Sequence, residues 1–222
     1  MTRHSAVFPL GTTYLPGELV VLRVFEPRYV EMFSPPPASF VTVLIAQGSE
    51  VGGRDKRYPF GVRVQMLQIG QADFGLVVQG TVTRRVTIDE WLEDDPFPRA
   101  IVRDLADDTL TQSQCHDAAS SISLLAQRIR MLHERIATHQ NQQHTSAPVN
   151  PLLATIASGR WWGTGVGQEE VSRAFWAIAA LTPCGPMDRY DLLQPSSLMD
   201  RISRLRAIIE HVTEVLSFQM GY

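Results

Sequence analysis

The hydrophobic pattern changes period once along this chain of 222 residues. From Ala6 to about Leu105 the apolar positions come in short runs and alternations. Phe40–Ala46 is a nearly continuous β-branched and aromatic run, the pattern of a strand buried on both faces. Val62, Val64 and Met66 alternate with Arg63 and Gln65, and then Leu67 and Ile69 take over the apolar phase. One inserted residue shifts a strand's phase in this way, so the pattern predicts a bulge near Met66–Leu67. Gly70-Gln71-Ala72-Asp73 reads as a hairpin turn, with Phe74–Ile88 returning as one long strand or two. Gly80 in mid-strand predicts a sharp bend or a close backbone approach. Short strands between frequent Gly and Pro turns favour a barrel.

From Thr111 onward the period is helical. Ile122, Leu125, Ile129, Leu132 and Ile136 recur at spacings of three and four and form one stripe. Leu198, Ile202, Leu205, Ile209, Val212 and Leu216 form another. Ser197 and Asp200, directly after Pro195, fit a capping box that starts this last helix. Shorter helices are expected around Pro151–Ala157, Gln168–Leu181 and Asp188–Gln194, with Gln140–Asn150 as a flexible loop. The expected architecture is α+β: a β-barrel in residues 1–108, then a helical bundle in residues 109–222.

Composition narrows the function classes. With 44% hydrophobic and 19% charged residues the chain is in the ordinary globular range. A formal charge of -3 provides no global basic field to attract nucleic acid. Of the twenty basic residues only Lys56 is a lysine. Cys115 and Cys184 belong to no C-x-x-C pair, and two reduced thiols in a cytosolic protein are expected. None of the six histidines forms an H-x-x-x-H pair, so no metal site is expected. There is no leader-like apolar core at Met1–Leu10 and no run of about 18 apolar residues. The expectation is a soluble, cytoplasmic protein without a cofactor.

The opening residues carry a family resemblance. Phe8-Pro9-Leu10, Leu15-Pro16-Gly17 and Val24-Phe25-Glu26-Pro27-Arg28-Tyr29 stand in the order and spacing of the N-terminal, substrate-binding domain of Lon proteases. The likeness continues through Val43-Leu44-Ile45, Glu50-Val51-Gly52-Gly53, Gly61, Leu76–Gly80 and Trp91–Pro96. It is looser in the helical half, where Asp188-Arg189 and Leu192-Leu193 are the clearest echo. Arg23 departs from the family's more common apolar or His-like residue. The resemblance implies a PUA-like barrel in a stand-alone bacterial member, without the ATPase and protease parts. It also implies binding of unfolded or specific client proteins, with a protease or ATPase as a further partner. Locally, Pro27 suits the first turn of a short helix, Pro27–Phe33. Glu26 can accept from that helix's amides, and Arg28 can pair with a carboxylate.

Lon-type proteolysis, by the same resemblance, requires a Ser nucleophile and a Lys base. Lys56 lies in the polar stretch Gly53-Arg54-Asp55-Lys56-Arg57, with no nucleophile elbow near it. Gly163-Thr164-Gly165-Val166-Gly167-Gln168 has the glycines of a phosphate loop but not the Lys and Ser/Thr that a Walker A motif needs. Glu169 and Glu170 after it suit the first turn of a helix. The chain is therefore read as non-catalytic.

Two places stand out for a partner. Trp161-Trp162 offers large aromatics of the kind that anchor interfaces, or else plugs the join between barrel and bundle. Arg54, Lys56 and Arg57, with Arg84-Arg85, mark an anion-binding groove or a solvated loop. Polypeptide binding is the first reading. An RNA-binding module is the alternative, because PUA-like barrels elsewhere bind RNA.

Overall fold

Five strands pair edge to edge until the sheet meets itself. The structure, a computed structural model, describes residues 2–51, 55–140, 150–163 and 165–219. Its contacts divide into two units, Met1–Ala106 with Pro186–Pro195, and Asp107–Gly185 with Ser196–Tyr222. In chain order the first unit carries β1 (Thr2–Leu10), β2 (Leu19–Val24), α1 (Pro27–Met32), β3 (Ser39–Gln47), β4 (Lys56–Ala72), β5 (Gly75–Trp91) and β6 (Arg99–Asp104). The second carries α2 (Gln112–Gln140), α3 (Pro151–Ala157), a 3-10 turn at Arg160–Trp162, α4 (Gln168–Ala180) and α6 (Leu198–Gln219). A fifth helix, α5 (Pro186–Leu193), belongs to the first unit.

β1 pairs with β3 in parallel and with β6 antiparallel, and β3, β4 and β5 follow as antiparallel neighbours. The last part of β5, Val86–Trp91, pairs with β6 and closes the barrel. Closure gives each of those five strands a neighbour on both sides over part of its length, while among the described residues Gln68–Ala72 of β4 pairs with β5 alone. Inside lie Val7, Val41, Val43, Val86, Ile88, Ala100 and Val102, all buried, with Trp91 packed against them. These are inward positions of paired strands, which is why β-branched residues fill them.

β2 stands outside the ring. It pairs with Leu76–Thr81 of β5, and among the described residues no strand lies on its other side.

The expected bulge is present: Met66 faces Gly80, Gln68 faces Gln79, and Leu67 is the extra residue between them. Gly80 is a close-approach position, since a Cβ there would sit 2.4 Å from Val64 Cγ1 and 2.8 Å from the Gln65 carbonyl. The hairpin turn falls later than the sequence suggests, at Asp73-Phe74, with Ala72 opposite Gly75. The reason is Gly75, whose φ of 136° only glycine adopts readily, so the reversal is placed against it.

α5 corrects a second expectation, because the sequence groups it with the helices. The Tyr190 ring lies 4.6 Å from the Tyr58 ring and 6.2 Å from that of Phe60, both on β4. Thr13 Oγ1 donates to the Pro186 carbonyl at 2.9 Å, and Arg189 Nε donates to the Thr13 carbonyl at 2.7 Å. Arg85, buried, donates to the carbonyls of Leu193 (3.2 Å) and Gln194 (3.0 Å), the groups a helix end leaves without intrahelical partners.

In the second unit the stripes bury Ile122, Leu125, Ile129 and Leu132 on α2 and Leu198, Ile202, Leu205 and Ile209 on α6. The capping box forms: Asp200 N–H donates to Ser197 Oγ at 3.1 Å and Ser197 N–H to Asp200 Oδ2 at 3.2 Å. The Ser197 hydroxyl, donating to Asp200 Oδ2 at 2.6 Å, and then the Ser197 amide hold the Asp200 carboxyl below its ordinary range. Residues 141–149, within the expected loop, lie outside the described residues. Cys115 and Cys184 form no disulfide. Among the described residues no helix is long and apolar enough to cross a membrane.

Candidate functional site

The described residues singled out from sequence belong to different units, Lys56, Arg57, Arg84 and Arg85 to the first and Trp161 and Trp162 to the second. Arg54 lies outside the described residues, and Lys56 is exposed at the start of β4. Arg57 turns into a nest of carboxylates instead of facing solvent. Its Nε donates to Asp55 at 2.6 Å, its Nη1 to Asp94 at 3.0 Å, and its guanidinium lies 5.2 Å from the Trp91 ring centre. Burial opposes the charge, but the hydrogen bonds to Asp94 and Asp55 outweigh it and hold the pKa above the ordinary arginine value. Of the other pair, Arg84 is exposed, whereas Arg85 is committed to the end of α5.

The two tryptophans are half-buried within the helical unit. Trp162 Nε1 donates to Ser123 Oγ on α2 at 2.9 Å, and Trp161 Nε1 donates to the Glu170 carbonyl on α4 at 3.3 Å. Each indole thus ties the turn at Arg160–Trp162 to a neighbouring helix.

The opening motif builds a different site. α1 begins at Pro27, but Glu26 does not cap it with its side chain as expected. Glu26 instead accepts from Arg28 Nε at 3.2 Å. That pair lays the Arg28 guanidinium 4.4 Å from the Tyr29 ring centre. Tyr29 is buried against Phe8, ring centres 4.2 Å apart, and its hydroxyl pKa is pushed up to about 12 by burial. Phe33 meets Phe40 edge-on at 5.2 Å behind them. These aromatics fix where the chain leaves β2, and Phe25 is left pointing outward.

The result is a groove of about 340 Å³. Phe8 and Leu10 line it from β1, Tyr29 from α1, Val21–Val24 from β2 with Phe25 just after it, and Thr12, Tyr14, Glu50 and Val51 from the loops. Glu50 accepts a hydrogen bond from the Gly11 amide, which ties two of those loops together. Apolar side chains remain in water along it: Val21 is 47% exposed, Phe25 57% and Val51 55%, and Leu19, at the start of the same strand but outside the groove lining, is 57% exposed. Arg23 is occupied locally, its guanidinium 4.4 Å from the Phe74 ring centre. Scattered exposed apolar residues are normal, whereas these share one strand and its groove.

A second cleft of about 700 Å³ is polar, lined by Ser39, Arg63, Gln65, Thr83, Arg84 and Asp104 among others. Arg63 already donates to Asp104 there, at 3.0 Å and 2.7 Å. Among the described residues no group of His, Cys, Asp and Glu is placed to hold a metal ion.

A family model, the ATP-dependent protease La (LON) substrate-binding domain, matches residues 5–211. Among solved structures the chain is similar to a Lon N-terminal domain protein from Xanthomonas campestris. The TM-score is 0.60 with 22% identity, over 92% of this chain and 98% of that one. It is also similar to the N-terminal domain of the Mycobacterium avium complex Lon protease, with a TM-score of 0.56 and 14% identity. That likeness covers 94% of this chain and 98% of the other. At such identities the likeness to these two structures concerns the fold. No curated protein matches the chain.

Proposed function

The chain belongs to the LON substrate-binding domain family, and on that footing we propose that it is a non-catalytic protein that binds polypeptide through the groove beside β2. The observation that carries the reading is the set of exposed Val21, Phe25 and Val51 lining that groove, with Leu19 exposed on the same face at the start of β2. Unfolded chains expose apolar residues that folded proteins bury, and burying both surfaces together removes that area from water. The clients are unfolded or specific cytoplasmic proteins, and a protease or ATPase is the partner that would use the captured chain. The missing Walker lysine and Ser-Lys dyad in the sequence support a binding role without catalysis of its own.

The RNA alternative has less to rest on. Of the cations it would use, Arg57 and Arg85 are held by carboxylates and carbonyls within the barrel unit. Trp161 and Trp162, half-buried, retain surface for a folded partner and form a second place to probe by paired alanine substitution.

The test is a titration of a denatured model protein and of a mixed RNA pool, each at low and moderate salt. Apolar capture depends weakly on salt, whereas RNA affinity falls steeply as counterions are released. Tight, salt-sensitive RNA binding with no affinity for the unfolded chain overturns the proposal.

A further inference from the structure

Resting on the polypeptide-binding reading, we propose that an extended client segment docks by adding a strand to the open edge of β2. The phase of the ladder defines what that edge offers. Leu19 faces Thr81 and Leu22 faces Val78, and the Val82 amide donates to the Glu18 carbonyl at 2.9 Å. In an antiparallel pair the residues that exchange bonds alternate with those that do not. Val20, Leu22 and Val24 therefore bond to β5, and the N–H and C=O groups of Leu19, Val21 and Arg23 face away from it. Residues of both phases, Val21 and Arg23 as well as Leu22 and Val24, border the groove, so the groove runs along the strand's edge.

This geometry selects among occupants. An exposed row of donors and acceptors at strand spacing is matched by another extended backbone. A helix has already used its own backbone groups and cannot answer that row. The side chains agree, because β2 alternates exposed and buried along its whole length. An added strand would lay every second side chain beside Leu19 and Val21, with the alternate ones over Leu10 and Val51. The preferred segment is thus extended and apolar at period two. Folded proteins usually guard such an edge with proline, inward charge or a bulge. β2 has none of these, and its one charge, Arg23, is engaged with Phe74.

The test uses the full chain and a labelled octapeptide of alternating valine and threonine with a lysine at each end. Two methylated versions carry N-methyl groups on the valines or on the threonines, so that each blocks one phase of backbone donors. One set should weaken binding by about tenfold or more, since two or three hydrogen bonds are lost. The other should change it little. On binding the unmodified peptide, the amides of Leu19, Val21 and Arg23 should become protected from hydrogen exchange, and those of Val20 and Leu22 should not change. Equal loss from both sets overturns strand addition and leaves polypeptide recognition standing. So does binding of a denatured protein without the peptide. Failure of both the peptide and the denatured protein to bind overturns the function proposed above as well.

Discussion

The guanidinium of Arg201, fully buried, donates to Asp107 Oδ1 at 2.7 Å and to the Ser196 carbonyl at 2.6 Å. Its carbon lies 5.6 Å from the Trp176 ring centre. One cation thereby joins the first residue of the helical unit to the start of α6 and to α4. A buried charge is tolerated only when it is paired in this way. Arg201→Ala should destabilise the protein by about 3–5 kcal/mol, read from thermal or denaturant unfolding. Arg201→Lys should recover only part, because a single ammonium cannot reproduce the planar fork. A loss below about 1 kcal/mol for the alanine variant would assign this pair the weight of a surface ion pair.

Arg85 plays the equivalent part in the barrel unit. Arg85→Met keeps most of the apolar volume but removes both hydrogen bonds to the end of α5. A cost of about 2–3 kcal/mol is expected, with faster amide exchange in α5 than in β1 or β3. Uniform acceleration across the barrel would show that Arg85 supports the whole unit and not this helix alone.

Binding and stability should separate at β2. Leu19→Lys combined with Val21→Lys places two charges on an already exposed face, so stability should change by less than about 1 kcal/mol. Affinity for a denatured model protein should fall severalfold or more. Unchanged affinity would move the binding surface elsewhere, to Trp161 and Trp162 first.

Alkaline pH should loosen the barrel unit. Burial raises the Tyr29 and Tyr190 hydroxyls from 10.0 to about 12 in the folded protein. The folded state therefore keeps protons that the unfolded state releases between pH 10 and about 12. Stability linked to these groups is fully present below pH 10 and is lost as pH rises toward 12. Tyr29→Phe should flatten part of that loss in unfolding experiments run across this range. Tyrosinate absorbance appearing at ordinary pH in the folded protein would contradict it.

How much of this was legible in the sequence follows from the range over which each feature is decided. The bulge at Leu67, the Ser197–Asp200 box and the stripes of α2 and α6 are local, and periodicity and capping chemistry specify them. The attachment of α5 to β4 is not local, because Tyr190 and Tyr58 meet across more than a hundred residues of chain. In sequence Glu26 suited the helix amides and Arg28 an unnamed carboxylate, and only the folded geometry pairs the two with each other. The groove was hidden for a different reason. Leu19-Val20-Val21-Leu22 is a continuous apolar run, which ordinarily signals burial on both faces. Exposure of one face became visible only when β2 was found outside the ring. Within the basic stretch Arg54–Arg57, the orientation of Arg57 was not legible, because one of the two acids that turn it inward, Asp94, is distant in the chain.

The placement of α5 also bears on how the protein is made. A ribosome releases the six strands long before Pro186 emerges, so the nascent barrel must wait for its last piece while the helices of the other unit are still being synthesised. Until then Tyr58 and Phe60 lack the ring that covers them, and the Arg85 guanidinium lacks its carbonyls. A fragment ending near Asp108 would reproduce that waiting state permanently. The gene cannot be cut at the one place where the chain changes from strands to helices without leaving the barrel unfinished.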